Sequence, residues 1–157
     1  MLAVAQNADR SYHAQGYLFV EDEATVGFAG GKAAEGIFSN GIGMGGEYVK
    51  AENPLQENMF SVNLFYHLGG SRGKRRFAPF VTGGSTRFWI PNITLGPANG
   101  GNFGCGMNLW VVKHMGVRLE VRNTIGGRSI SIIFEPGGNY YTAPNNVVSF
   151  RLGVTFR

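Results

Sequence analysis

The candidate bases in this chain are His13, His67 and His114, and the single cysteine, Cys105, is its one thiol. A hydrolase would need a nucleophile, a base and an orienting group within reach of one another. His13 lies in the N-terminal stretch, and His114 follows Lys113 in a turn-like segment. His67 falls on the polar side of an alternating segment, with no Ser–Asp pair beside it. Three isolated histidines and one cysteine offer no metal-ligand spacing. Cys105 sits between Phe103 and Met107 on an apolar face, where it acts as a small hydrophobe. Gly41-Ile-Gly-Met-Gly-Gly46 has the glycines of a phosphate loop, but it lacks the strand–loop–helix context and the Lys-Ser/Thr pair. No catalytic residue, metal or cofactor is assigned, and the chain is expected not to be an enzyme.

The charged and amide side chains inside alternating segments carry more information. In residues 117–122, Val117, Leu119 and Val121 share one face, while Arg118, Glu120 and Arg122 share the other. In residues 149–156, Phe150, Leu152, Val154 and Phe156 oppose Ser149, Arg151, Gly153 and Thr155. Residues 60–68 place Asn63 and His67 opposite a row of Phe, Val, Leu and Tyr, and residues 102–110 place Asn108 opposite Phe103 and Met107. Residues 41–49 place Glu47 opposite Ile42, Met44 and Tyr48. Residues 80–88 alternate weakly, with Arg87 read as the polar partner of Phe88. Period-two alternation is the mark of a strand with two unlike faces.

These segments, with one near 16–21 and one within 25–38, give eight antiparallel candidates. Many are about nine to eleven residues long, the length a tilted strand needs to cross a bilayer. The composition agrees. Glycine makes up 25 of 157 residues, more than double the usual share of roughly 7%. That glycine content excludes a long helical bundle, and charged residues at 15% with aromatics at 13% argue against a disordered chain. No run of about 18 apolar residues marks a membrane helix. The links alternate too. The second (39–40) and sixth (112–115) are short. The third (50–57), fifth (89–100) and seventh (126–146) are long and polar. The first looks too short for that series and the fourth too long. An even number of long strands with alternating links predicts an all-β fold, an eight-stranded antiparallel up-and-down transmembrane β-barrel.

Alternation does not say which face points inward. Three features favour a polar interior. Glycines crowd the polar faces, leaving room for long neighbours in a narrow lumen. Lysine is nearly absent from the strands, although soluble sheets scatter it on their surfaces. Aromatics gather near strand ends, at Tyr17, Tyr48, Tyr66, Phe77, Phe88, Trp89, Trp110 and Phe156, as an interfacial girdle would require. The expected interior network is Glu47, Asn63, His67, Arg87, Asn108, Arg118, Glu120, Arg122 and Arg151. Its cations outnumber its carboxylates by two, so it does not close by itself. The alternative is a soluble lipocalin-like barrel with the apolar row lining a ligand pocket.

In order along the chain stand Gln15-Gly-Tyr-Leu-Phe19, Gly43-Met-Gly-Gly-Glu-Tyr48, Phe60-Ser-Val-Asn63 and Pro79-Phe-Val-Thr-Gly-Gly84. Asn102-Phe-Gly-Cys-Gly-Met-Asn108, Gly116-Val-Arg-Leu-Glu-Val-Arg122 and Phe150-Arg-Leu-Gly-Val-Thr-Phe156 follow. With these stretches the chain resembles the bacterial outer-membrane β-barrel superfamily, of the eight-stranded kind seen in outer-membrane protein A and the opacity-type proteins. The resemblance implies an outer-membrane location, contact with outer-membrane lipids, and recognition of the last strand by the barrel-assembly machinery. Phe150, Leu152, Val154 and Phe156 match that terminal signal, although Arg157 follows the aromatic where the family pattern ends. Some members modify lipids, which makes an outer-membrane enzyme a further alternative.

Residues 15–157 are read as one barrel domain and residues 1–14 as an N-terminal tail. Ala3-Val4-Ala5 has the small-x-small form of a signal-peptidase site, a form that also arises by chance. The net charge is +4, and Arg72, Lys74, Arg75 and Arg76 form one cluster. The plain reading is a solvated turn; the sharper one is a phosphate-binding patch. No aromatic platform accompanies it, so nucleic acid is not expected. The protein is expected to be a monomer. Recognition of an unidentified ligand would use the long links, above all residues 126–146 with Tyr140 and Tyr141.

Overall fold

The structure, a computed structural model, describes residues 12–23, 27–51, 57–68, 76–91, 97–126, 131–133, 140–142 and 146–157. The signal-peptidase-like stretch, Arg72, Lys74 and Arg75 lie outside these residues. Alternating residues form ten strands: β1 (Tyr12–Glu23), β2 (Gly27–Phe38), β3 (Ile42–Ala51), β4 (Asn58–His67), β5 (Phe77–Trp89), β6 (Ala98–Val112), β7 (Met115–Gly126), β8 (Ser131–Ile133), β9 (Tyr140–Thr142) and β10 (Asn146–Phe156). Eight of them close in the order β1-β10-β7-β6-β5-β4-β3-β2. Every neighbouring pair is antiparallel, and sequence neighbours pair in space. Closure comes from β1 on β10, running from Gly16↔Phe156 to Glu23↔Ser149. A closed sheet leaves no unpaired edge.

β8 and β9 form a separate two-stranded sheet in the seventh link, which the sequence reading treats as irregular loop. The second strand, weakest in the sequence, is complete: β2 pairs along twelve residues with β1. β1 itself starts at Tyr12, three residues inside the expected tail, because Tyr12 to Ala14 continue the ladder against Phe38 to Gly36.

The β2–β3 turn shows why a glycine is needed at one point. Gly41 has φ of 89°, a left-handed conformation that costs a side chain about 1–2 kcal/mol. Its amide donates to the Phe38 carbonyl at 2.9 Å, and Asn40 Oδ1 accepts from the Ile42 amide at 3.0 Å. At the same end of the barrel, Arg157 Nε donates to the Lys113 carbonyl at 2.9 Å while its guanidinium lies 4.0 Å from the Trp110 ring centre.

The faces sort by polarity. Leu18, Val20, Leu64, Phe103, Leu119 and Leu152 point outward and are exposed, whereas Glu21, Glu47, Asn63, Asn108, Arg118 and Arg122 point inward with no more than 2% exposure. Packing is inverted relative to a water-soluble barrel, which overturns the lipocalin-like alternative. No helix among the described residues is long and apolar enough to cross a membrane.

Candidate functional site: the charged network inside the barrel

β1, β3, β4, β7 and β10 project alternate residues into the lumen, and those residues meet at Glu47. Tyr17 Oη donates to Glu47 Oε1 at 2.5 Å, and Asn63 Nδ2 donates to Oε2 at 2.8 Å. Arg122 binds both oxygens, with Nη2 3.1 Å from Oε1 and Nη1 on Oε2. Arg151 Nη1 donates to Oε2 at 3.2 Å. Arg122 also donates from Nε to Glu120 Oε1 at 2.6 Å, and Arg118 Nε donates to Glu120 Oε2 at 3.1 Å. Arg151 Nη2 reaches the Glu21 carboxylate at 2.9 Å. Charge-assisted hydrogen bonds of this kind are the form in which a buried charge is tolerated.

Toward the end of the barrel with the short β2–β3 and β6–β7 turns, the contacts thin out. Glu35 Oε1 lies 3.2 Å from His67 Nε2 and 3.7 Å from Arg118 Nη1. Neither Glu35 oxygen has a hydrogen bond among the described residues, nor does either polar side-chain atom of Asn108. Aromatic rings fill this region. The Arg118 guanidinium is 3.9 Å from the ring centres of both Tyr17 and Phe80, a two-sided cation–π arrangement. His67 packs beside Phe80 at 5.5 Å between centres. Glycine makes room for Phe80: a Cβ on Gly106 would lie 2.5 Å from Phe80 Cζ. The opposite end of the lumen is apolar, lined by the packed side chains of Ala29, Val49, Ala51, Met59 and Phe88. Beside the Glu47 hub, Ser61 Oγ and Thr86 Oγ1 are 2.8 Å apart, and Asn102 Nδ2 donates to Thr86 Oγ1 at 2.8 Å.

Eight of the nine expected interior residues are buried together: Glu47, Asn63, His67, Asn108, Arg118, Glu120, Arg122 and Arg151. Arg87 is the exception, and its assignment is corrected. It is exposed on the outer face, because β5 turns Phe80, Thr82, Thr86 and Phe88 inward. The sequence reading missed Glu21 and Glu35, both buried in the lumen. Parity held the signal: Leu18 and Val20 face outward on β1, as do Phe28 and Phe38 on β2, which puts residues 21 and 35 inside. The described interior therefore holds four carboxylates (Glu21, Glu35, Glu47, Glu120) against three guanidiniums (Arg118, Arg122, Arg151), plus His67. The apparent cation excess disappears. Of the expected girdle, Tyr48, Tyr66, Phe77 and Phe156 are outside or half-outside, whereas Tyr17, Phe88 and Trp110 are buried. Phe150, Leu152, Val154 and Phe156 line the outward face of β10. Among the described residues, no cluster of His, Cys, Asp and Glu could hold a metal ion.

An eight-stranded antiparallel barrel with an apolar exterior and a charged interior has the architecture of the transmembrane β-barrels. The chain shares its fold with the N-terminal β-barrel domain of Pseudomonas aeruginosa OprF, at TM-score 0.69 and 14% identity, over 93% of this chain and 96% of that one. It is also similar to Neisserial surface protein A (TM-score 0.60, 12% identity, 93% and 96% covered). A major outer-membrane protein from Thermus thermophilus gives TM-score 0.52 at 11% identity, with 92% and 99% covered. No protein-family model matches the chain, and no curated protein matches it in sequence.

Proposed function

We propose that the chain is an integral β-barrel of the bacterial outer membrane, with a lumen filled by its own side chains. It acts as a structural or adhesive surface protein through the long links. The inverted polarity of the faces carries this reading: an outer belt of exposed Leu, Val, Phe and Ile surrounds buried Arg and Glu. Water would disfavour the first arrangement and lipid the reverse, since an outward Arg at the bilayer midplane costs about 2–4 kcal/mol. The Glu47–Arg122 ion pair crosses the lumen from β3 to β7 on the opposite wall, which supports a closed plug rather than an open pore. The outward row Phe150, Leu152, Val154 and Phe156 is the surface offered to the assembly machinery, and the closed sheet favours a monomer. His67 packs against Phe80 and faces Glu35, in keeping with a packing role and not with catalysis.

Refolding from urea into detergent micelles tests the reading. A β-rich species that shifts in electrophoresis on heating, seen only with detergent, supports it. A β-rich monomer in plain buffer overturns it. In a planar bilayer the folded protein should give no steady wide-pore conductance.

A further inference from the structure

The two ends of the barrel carry their charge differently. Among the described residues, the long-link end mixes Asp22, Glu23 and Glu57 with Lys50 and Arg87. At the short-turn end, no Asp or Glu side chain among the described residues is exposed, and Glu35, the carboxylate nearest that end, is buried in the lumen. Arg76 and Lys113 are exposed there, and Arg157 is half-buried. Arg76 is the described member of the basic cluster for which the sequence suggests phosphate binding.

Direct contacts gather these three cations. The Trp110 amide donates to the Arg76 carbonyl at 2.8 Å, and the Arg157 guanidinium lies 4.0 Å from the Trp110 ring centre. Arg157 Nε donates to the Lys113 carbonyl at 2.9 Å. The Arg157 amide donates to the His114 carbonyl at 3.1 Å, and His114 Nδ1 is 3.0 Å from the Arg157 carbonyl oxygen. The residues stand at the ends of β5, β6, β7 and β10, which are consecutive in the barrel. Four such strands span an arc of about 14 Å at the usual strand spacing.

Their neighbours locate this corner. Each cation is next in the chain to an outward apolar side chain: Arg76 to Phe77, Lys113 to Val112, and Arg157 to Phe156. In a bilayer those apolar side chains belong in hydrocarbon, so the cations stand at its edge, level with the headgroups. A soluble acidic polymer would meet the cations alone. A phospholipid meets both, with its phosphate on the cation and its acyl chain on the apolar neighbour. Attraction of each Lys or Arg to an anionic lipid surface is modest, and it adds up over a cluster. In barrels of this kind the short turns face the periplasm.

We propose that this corner docks anionic phospholipids of the periplasmic leaflet. Their phosphates are held at Arg76, Lys113 and Arg157, and their acyl chains lie along Phe77, Val112 and Phe156. The proposal rests on the membrane reading above.

The test uses the whole chain refolded into vesicles of phosphatidylcholine and phosphatidylglycerol in equal amounts. Retained lipid is counted by native mass spectrometry after gentle extraction. The wild-type protein should retain phosphatidylglycerol at least about tenfold better than phosphatidylcholine, and R76Q/K113Q/R157Q should cut that ratio at least about fivefold. R76K/R157K keeps the charge and gives up the arginine forks, so it should keep most of the preference. Should the triple variant fail to fold, R76Q/K113Q leaves the Arg157 side chain in place and should still lower the ratio at least about threefold. Equal retention of the two lipids by the wild type, or an unchanged ratio in the glutamine variants, overturns the site. So does a loss in R76K/R157K as large as in the triple variant, which would make the arginines structural. The heat-modifiable band is read in the same samples. A folded barrel without the preference sinks this proposal alone; no folded barrel in any vesicle sinks the membrane reading and the site together.

Discussion

The two halves of the lumen hold similar residues and treat them differently. Around Glu47, both carboxylate oxygens are met, by Tyr17, Asn63, Arg122 and Arg151. Around Glu35, at the short-turn end, neither oxygen has a hydrogen bond among the described residues, and the nearest cationic atom, Arg118 Nη1, is 3.7 Å away. Geometry explains the contrast. Four strands aim polar side chains at Glu47, whereas Phe65 and Phe80 occupy the space beside Glu35 and His67. A buried carboxylate that is fully bonded organises its neighbours; one that is not leaves a desolvation cost in place. The first half therefore holds the barrel together, and the second half tolerates change.

The largest expected effect follows from breaking the hub. Glu47→Gln removes one of the carboxylates that Arg122 and Arg151 both contact, leaving them Glu120 and Glu21, and should cost about 3–5 kcal/mol, read from urea unfolding in micelles. Next comes the aromatic packing of the other half. Gly106→Ala drives a methyl against the Leu119 carbonyl oxygen and into Phe80, displacing the ring from Arg118, with an expected loss of about 1–3 kcal/mol; the same unfolding curves check it. A double-mutant cycle should find coupling of up to about 3 kcal/mol for Glu47 with Arg122, and under about 0.5 kcal/mol for Glu35 with Arg118. The smallest effect belongs to Glu35→Gln, which should change stability by less than about 1 kcal/mol in either direction, because little bonding is lost. If Glu35→Gln cost as much as Glu47→Gln, the contrast between the halves would be gone.

Much of the architecture is legible in the sequence, for a definite reason. β7 and β10 alternate bulky apolar residues with Arg, Glu and Thr, so their faces can be read directly, and the structure pairs them as Phe150↔Val121 and Arg151↔Glu120. β2 is harder, since Gly30, Gly31, Ala33 and Ala34 give both faces small residues and hide the inward Glu35. β5 misleads because its inward face carries Phe80 and Phe88 among threonines, while Arg87 lies outside at the strand end. A local pattern cannot reveal that a lumen has apolar rings at its ends. The Glu47 hub joins residues from β1, β3, β4, β7 and β10, and only closure of the sheet brings those strands face to face. Alternation gives the side of the wall; it does not give the partner across the lumen.

The inward and outward faces are the central claim, and the single cysteine reports on them directly. Cys105 lies near the middle of β6, exposed on the outer surface between Phe103 and Met107. The protein would be refolded into lipid vesicles and treated with a membrane-impermeant maleimide. In parallel, a fluorophore placed on Cys105 before refolding would be tested for quenching by brominated acyl chains. A lipid-facing Cys105 should resist the maleimide, react once the vesicles are dissolved and the chain unfolded, and give a label quenched by the brominated chains. Rapid maleimide reaction in the folded, vesicle-bound protein, with no quenching, would contradict the account.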